Sequence, residues 1–223
     1  MTLNLSNPLN LCAIKRKVHL FGPDDSPRLN ECARLRYTYF VQKRGWVAPN
    51  PVYPDVEQDS YDEHCLHLGV WDNKGVTAYL RALPFDFHIG FMLDHDLSCL
   101  IENEDQKTLL RDGAVELSRL VVRPDIVFCQ ADPHPVEMLL RLLYREAKMR
   151  GFRRFYIVVE EGWLRPFERR FGLPFRVIGA PYLFPDGTKT IAAMATLEEL
   201  ESGMRRHSEA KYTWYQEEER DVP

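Results

Sequence analysis

The chain has 223 residues, of which 45% are hydrophobic, so it is long enough to form a globular domain with a sizeable core. Its formal net charge of −4 at pH 7 argues against a general nucleic-acid binder. The five cysteines are odd in number and include no Cys-x-x-Cys pair, which argues against a disulfide framework or a zinc ribbon and favours a reducing, cytoplasmic compartment.

Targeting and membrane signals are not expected in this chain. The segment Met1–Cys12 lacks a basic start and a long apolar run, so it does not resemble a signal peptide. No stretch approaches the roughly 18 apolar residues of a membrane span. We expect one domain over residues 1–206, followed by a polar and mobile tail over residues 207–223.

The first predicted elements are a short strand over Lys17–Phe21 and a helix that begins near Ser26. Ser26 is the expected N-cap, with Pro27 as the first helical residue. One face of this helix is apolar at spacings of three and four, but Arg36 lies in the middle of that face. Arg36 either extends its charge to solvent from the edge of the helix or holds a carboxylate in a cleft.

The following segment, Val41–Pro54, is crowded with proline and glycine and is predicted to be irregular. It contains Trp46, which either plugs a core or stacks on a planar ligand such as an adenine. Residues 55–63 then form a sharply acidic stretch without a single base. Such a run is usually a solvated loop, but it can also attract a cationic ligand through its local field. A metal site at Asp59, Asp62, His64 and His67 matches no ligand spacing that we can defend, so we expect none.

The middle of the chain is predicted to form antiparallel strands. Cys65–Trp71 and Val76–Leu83 are joined by a turn at residues 73–75, and Arg81 lies on the second strand. Residues 92–100 are expected to form a short helical cover. The next strand, Val115–Val122, carries two charges among core residues, Glu116 and Arg119.

These two charges make Val115–Val122 a candidate for the functional site, because burying a charge is costly unless it is paired or used. A structural ion pair between Glu116 and Arg119 is an equally good interpretation. The two residues are three apart, so a regular strand would point them to opposite faces. If both serve one pocket, a bulge is needed near Ser118, and its unpaired amides could stabilise an oxyanion.

The last third of the chain alternates helices and strands. The pattern predicts a helix from Val136 that ends before Gly151, a strand over Phe155–Val159, a helix over Trp163–Phe171, strands over residues 176–179 and 190–195, and a closing helix over residues 197–206. Residues 141–176 contain ten Lys or Arg and four Glu, a net charge of +6. This basic region is either a set of solvated helix faces or a docking surface for a small acidic protein.

The order of elements is α/β with a mixed sheet, and it resembles the GNAT acyltransferase fold, a three-layer fold in which helices flank a central, bulged sheet. The usual glycine loop that cradles the CoA pyrophosphate is missing after Val122. A narrower resemblance is to the acyl-homoserine-lactone synthases, which make bacterial autoinducers. The residues that carry it, in chain order, are Arg36, Phe40, Trp46, Asp59, Asp62, Arg81, Glu116, Ser118 and Arg119.

The resemblance implies two substrates, S-adenosylmethionine and an acyl group on acyl carrier protein, and no cofactor. It implies that Arg36, Phe40, Trp46, Asp59, Asp62 and Arg81 bind substrate, and that Glu116, Ser118 and Arg119 are catalytic. Glu116 would be the general base. The carrier protein would dock on the basic region, with acyl-CoA as the alternative donor.

Long-chain N-acyl amino acid synthases resemble the same pattern, but they more often lack the tryptophan. Trp46 therefore favours the lactone synthase. A third interpretation is a catalytically silent module that only binds acyl carrier protein, and the charges on Val115–Val122 argue against it.

Overall fold

A mixed β-sheet forms the middle layer of the computed structural model, which describes residues 15–101, 109–126, 133–184 and 186–217. Within these residues the sheet has eight strands: β1 (Lys17–Phe21), β2 (Leu66–Asp72), β3 (Gly75–Pro84), β4 (Ala114–Val122), β5 (Arg154–Glu160), β6 (Arg176–Val177), β7 (Tyr182–Leu183) and β8 (Lys189–Thr196). The spatial order is β1-β2-β3-β4-β5-β8-β6, and β7 also pairs with β8. The predicted strands are confirmed, and β7 was missed.

One pair of strands in this sheet is parallel. β4 and β5 pair in parallel from Ala114 opposite Arg154 to Leu117 opposite Ile157, and all other neighbouring strands are antiparallel. Both strands continue beyond the last pair, to Val122 and Glu160. The pairing therefore ends halfway along β4, and a notch begins there between the two strands.

Helices cover both faces of the sheet. They are α1 (Ser26–Arg36), α2 (Pro135–Arg150), α3 (Glu161–Phe171), α4 (Leu197–His207) and α5 (Glu209–Gln216). Helix α1 packs on one face through Leu29 and Cys32, against Tyr79 and Val121. The other four helices share the large core on the opposite face. This is the three-layer α/β arrangement that the sequence predicted.

Helix α1 differs from its prediction at both ends. Asp25, not Ser26, is the N-cap, because its carboxylate accepts the Arg28 amide hydrogen at 3.3 Å, and Ser26 is already helical. Beyond Arg36 the chain continues as a π-helical stretch, Tyr37–Lys43. The wider turn changes which side chains face the sheet, and stretches of this kind are often found at functional sites.

The predicted mobile tail is wrong for residues 209–216. They form helix α5, which begins at the N-cap Ser208 and buries Tyr212 and Tyr215 in the large core. The composition is polar because only two of its eight residues, both tyrosines, are buried, and these two rings are enough to anchor the helix. Residues 218–223 lie outside the described part of the chain.

The described helices include none that is long and apolar enough to cross a membrane. Among the cysteines placed by the structure, Cys32 and Cys65 are buried free thiols and Cys99 is exposed. Cys12 and Cys129 lie outside the described residues.

Candidate active site

A bulge in β4 shapes the centre of the candidate site. Arg81 of β3 lies opposite Ser118, but Tyr79 lies opposite Val121, so β4 has one extra residue between these pairs. Arg119 takes up the extra length in the left-handed region, with φ of 57°, as the one non-glycine residue with positive φ among the described residues. The bulge predicted near Ser118 is confirmed.

The bulge reverses the alternation of side chains along β4. Before it, Val115 and Leu117 point into the large core; after it, Val122 packs there and Val121 faces α1. Arg119 consequently reaches the α1 face, where it contacts Asp59, which also binds Arg81. The bulge therefore allows Glu116 and Arg119, three residues apart, to lie on the same side of the sheet.

Three arginines and three carboxylates form a closed cluster on the α1 face: Arg36, Arg81, Arg119, Glu57, Asp59 and Asp62. Asp62 Oδ1 accepts hydrogen bonds from Arg36 Nη1 at 2.7 Å and from Arg81 Nη1 at 2.8 Å. Arg119 donates to Asp59 at 3.0 Å and to Glu57 at 3.1 Å. Arg36 also donates to Glu57 through Nε. The six charges balance, which makes their joint burial tolerable.

The deep part of this cluster has a structural role. Arg36 and Arg81 are fully buried, and Asp62 is 4% exposed. Burial alone would raise the pKa of the Asp62 carboxyl, but the two guanidinium groups more than offset it and hold that pKa well below its ordinary value. In this structure Arg36 pairs with Glu57 and Asp62 of the protein itself, and its Nη2 has no hydrogen-bond partner among the described residues. The binding of a substrate carboxylate by Arg36 stays a prediction.

Asp59 and Arg119 are the members of the cluster that solvent can reach. Their side chains are 23% and 15% exposed. Arg119 also lies over the Phe40 ring, 5.5 Å from its centroid, and Phe40 itself is buried. Ser118 accepts a hydrogen bond from Arg81 Nε at 3.0 Å, so it orients that arginine. A ligand at this face would meet one carboxylate and one guanidinium.

Glu57 was part of the acidic run but was not singled out by the sequence. It is 2% exposed and joins Arg36 to Arg119. Its backbone amide donates to Ala33 of α1 at 3.0 Å, which fixes the loop against the helix. The interpretation of residues 55–63 as a solvated loop is therefore wrong for Glu57 and Asp62.

Trp46 lies at the rim of the site. Its side chain is 38% exposed, with the Phe40 ring 6.1 Å away and the Arg44 guanidinium 4.3 Å from its centroid. Its indole N–H donates to Asp186 in the turn before β8. Trp46 thus does not plug a core, and the stacking of its ring on a ligand stays a prediction.

Glu116 is not paired with Arg119, so the ion-pair interpretation of the strand is wrong. It is 1% exposed, and its Oε2 accepts the Met92 amide hydrogen at 2.7 Å. Its Oε1 has no hydrogen-bond partner among the described residues. Burial raises the pKa of the Glu116 carboxyl to about 8, although the Met92 amide and Arg81 act in the opposite direction. A carboxylate of this kind can accept a proton near neutral pH.

The backbone around the bulge is open on both sides. Arg119 and Leu120 lie opposite the single residue Leu80 of β3 and have no register partner there, and β5 does not pair beyond Leu117. The notch thus lies next to Glu116 and to backbone without ladder partners. Whether the Leu120 amide stabilises an oxyanion stays a prediction.

An apolar cavity lies behind the notch, on the side of the large core. Leu117 and Phe155 from the two parting strands line it, together with Leu140 and Leu143 of α2 and Tyr215 of α5. Leu117 is also the last residue of β4 that pairs with β5. The cavity therefore begins one residue away from Glu116, on the other face of the sheet.

The described residues contain no group of three or more His, Cys, Asp and Glu side chains that could hold a metal ion. His67, considered above as a possible ligand, is buried and lies 2.7 Å from the Tyr79 hydroxyl and 2.9 Å from the Asp62 carbonyl oxygen. Both of its ring nitrogens are thus in use.

Comparisons with known proteins agree with this geometry. The family model of the GNAT acetyltransferase domain matches residues 35–127. The structure of a CoA-dependent acyl-homoserine lactone synthase, BjaI, with MTA has a TM-score of 0.68 at 20% identity, over 86% of this chain and 90% of that one. No curated protein sequence matches the chain.

Two further solved structures extend the likeness. TofI, in a ternary complex with an inhibitor and MTA, has a TM-score of 0.67 at 23% identity, over 86% of this chain and 97% of that one. FeeM, an N-acyl amino acid synthase from uncultured soil microbes, has a TM-score of 0.62 at 13% identity, over 86% and 95%. The predicted GNAT-like fold is confirmed: the chain has the fold of solved acyl-homoserine lactone synthases and of an N-acyl amino acid synthase, and its residues 35–127 match the acetyltransferase (GNAT) domain.

Proposed function

We propose that this acyltransferase makes an N-acyl-L-homoserine lactone, a quorum-sensing signal, from S-adenosylmethionine and an acyl group on acyl carrier protein. The observation that carries the proposal is Glu116, a buried carboxylate with one unpartnered oxygen beside the notch between β4 and β5. An amine must lose a proton as it attacks a thioester, and this carboxylate is the proton acceptor at the point where the acyl arm would enter.

In the first step the amine nitrogen of S-adenosylmethionine forms a bond to the thioester carbon, and the thiolate of the acyl carrier leaves. Glu116 takes the proton from nitrogen, directly or through a water. Backbone amides at Arg119 and Leu120 would stabilise the oxyanion. In the second step the methionine carboxylate attacks its own γ-carbon, the carbon–sulfur bond breaks, and methylthioadenosine leaves. The sulfonium is a good leaving group, so positioning is sufficient for ring closure.

The exposed pair at the cluster suits such a cationic, zwitterionic substrate. Asp59 would attract the positive groups, Arg119 would hold the carboxylate, and Trp46 would stack on the adenine. Asp62, Arg81 and Arg36 would keep this pair in place from below. In this proposal they orient the binding residues and do not touch the substrate.

The acyl donor is proposed to be a carrier protein because the chain has no glycine loop for a CoA pyrophosphate after Val122. In its place, Arg123 pairs with Asp72 at 2.7 Å and with Asp125 at 2.6 Å. Two of the similar synthases, BjaI and MesI, are CoA-dependent, which makes acyl-CoA the alternative donor to test.

A second candidate function is an N-acyl amino acid synthase, which would acylate the amine of an amino acid and not use S-adenosylmethionine. The likeness to FeeM favours it. The same Glu116 chemistry would serve both reactions, so the product alone distinguishes them.

The test is mass spectrometry of organic extracts from cells that express the chain and grow on isotope-labelled methionine. Labelled acyl-homoserine lactone is the expected product, and its mass gives the acyl length. Unlabelled N-acyl amino acids would establish the second candidate. If the cells make neither product, and the purified protein makes neither from acyl carrier protein or acyl-CoA donors, both candidate functions are overturned. A module that only binds acyl carrier protein would then be favoured.

The control is Glu116→Gln, which keeps the size of the side chain and removes its basicity. We expect it to lower acyl transfer by about 10²- to 10⁴-fold. If the variant retained most of its activity, Glu116 would not be the base.

A further inference from the structure

One of the residues that line the apolar cavity behind the notch carries a hydroxyl group that no described residue satisfies. Tyr215 of α5 is 1% exposed and lines the cavity, and its hydroxyl oxygen has no hydrogen-bond partner among the described residues. A buried hydroxyl without a partner destabilises a folded protein. Phenylalanine would fill the same space without that cost, so the hydroxyl calls for an explanation.

Neighbouring polar groups do not supply the missing partner. Tyr144 lines the same cavity, but its hydroxyl donates to Glu201 at 2.8 Å. The carboxylate of Glu137, which is near Tyr215, accepts from Lys211 and from the His134 amide. The rings next to Tyr215 are those of Tyr144 and Trp214, with centroids 6.3 Å and 5.3 Å away.

The position of Tyr215 relative to the notch indicates what could bind the hydroxyl. Leu117, the last residue of β4 that pairs with β5, lines the cavity, and α5 contributes to its wall on the side of the large core. An acyl chain whose thioester carbon lies beside Glu116 would pass Leu117 and run into this cavity. Its far end would then come within reach of α5.

We propose that Tyr215 determines acyl specificity, and that its hydroxyl group selects an acyl chain that carries an oxygen atom, as a hydroxyl or a carbonyl, near the end remote from the thioester. This inference rests on the proposed acyl transfer, and it names the class of acyl group that the site takes. A buried polar group that only one class of ligand can satisfy discriminates strongly against ligands that leave it unpaired.

The experiment measures binding and not turnover. Medium-chain acyl thioesters of N-acetylcysteamine, in pairs with and without a terminal hydroxyl, are titrated by calorimetry against the full chain and against Tyr215→Phe. We expect the wild-type protein to bind the hydroxylated member of at least one pair about 3- to 10-fold more tightly. Tyr215→Phe should lose this preference and bind the plain thioester at least as well.

The matched control is Tyr144→Phe, which removes a hydroxyl from the same cavity that is already bonded to Glu201. It should keep the preference. The inference is overturned if the wild-type protein binds no pair, if it shows no preference at any chain length, or if Tyr215→Phe keeps the preference. Binding with the expected preference, but without acylation of any amine, would overturn the proposed function and leave this inference standing.

Discussion

At the scale of single residues, two buried carboxyl groups have pKa values shifted in opposite directions. Asp62 pairs with two guanidinium groups, and the pKa of its carboxyl is lowered. Glu116 accepts a hydrogen bond from the Met92 amide and pairs with no guanidinium group among the described residues, and burial raises its pKa to about 8. Burial acts in the same direction on both, so the difference comes from the partners. The two guanidinium groups thus keep Asp62 ionised, while Glu116 is left able to exchange a proton.

The raised pKa of Glu116 has a consequence for stability. Between the pKa of an unfolded glutamate, 4.5, and about 8, the folded protein binds a proton at Glu116 that the unfolded chain has lost. This difference in the protonation of Glu116 therefore lowers the free energy of unfolding as pH rises from 4.5 to about 8, and it has no such effect below pH 4.5. Relative to the wild-type protein, Glu116→Gln should gain stability on the order of a few kcal/mol at pH 8.5 and little at pH 4.5.

Urea denaturation at both pH values measures this difference. Glu63→Gln, which changes an exposed acid of the same stretch of chain as the cluster, should show no comparable dependence on pH. An equal effect of Glu116→Gln at the two pH values would mean that the Glu116 carboxyl does not have a raised pKa.

At the scale of elements, β4 is unusual because its function depends on an irregularity. The bulge places Arg119 in the left-handed region, where a residue with a Cβ atom is strained by about 1–2 kcal/mol. The two ion pairs of Arg119, with Glu57 and Asp59, offset this strain. The irregular backbone is therefore held in place by the charged cluster on the α1 face.

This interpretation predicts an inverted order of two substitutions. Arg119→Gly and Arg119→Ala both remove the guanidinium group, but glycine adopts positive φ without strain, so the glycine variant should be more stable than the alanine variant by about 1 kcal/mol. At the neighbouring Leu120, where φ is not positive, alanine should be the more stable of the two. Thermal unfolding of the four variants compares them, and the same order at both positions would contradict the strain.

At the scale of the whole molecule, charge is distributed unevenly. The acidic chain carries a basic region over residues 141–176, from α2 through β5 to β6. Part of its charge is used internally: Arg153 pairs with Asp112, and Lys148 with Glu201. Arg165 and Arg169 of α3 are exposed and remain available at the surface.

If acyl carrier protein docks on this region, Arg165→Glu with Arg169→Glu should raise KM for acyl carrier protein about tenfold or more and leave KM for a small acyl thioester unchanged, because like charges would then face the partner. Steady-state kinetics at low and moderate salt measure both constants. Lys74→Glu, an exposed reversal in the turn between β2 and β3, is the matched control. A similar rise in KM for that control, or an unchanged KM for the double variant, would place the docking surface elsewhere.

Much of this molecule could be predicted from local patterns. Alternation and helical spacing predicted seven of the strands and the course of α2, α3 and α4, because one face of each element is buried and its sequence must reflect that period. Gly151 and Gly172 end their helices with positive φ, as the sequence indicated. The need for a bulge near Ser118 followed from two charges three residues apart in a strand.

Other features were decided only by tertiary contacts. The sequence contains the acids of residues 55–63 and the three arginines, but it does not say that they neutralise one another, because Arg36, Arg81 and Arg119 come from different elements that only the fold brings together. The same is true of α5: its polar composition indicated a mobile tail, but its two buried tyrosines pack into the large core. Local sequence determines which face an element buries, whereas the partner of a buried charge depends on residues far along the chain.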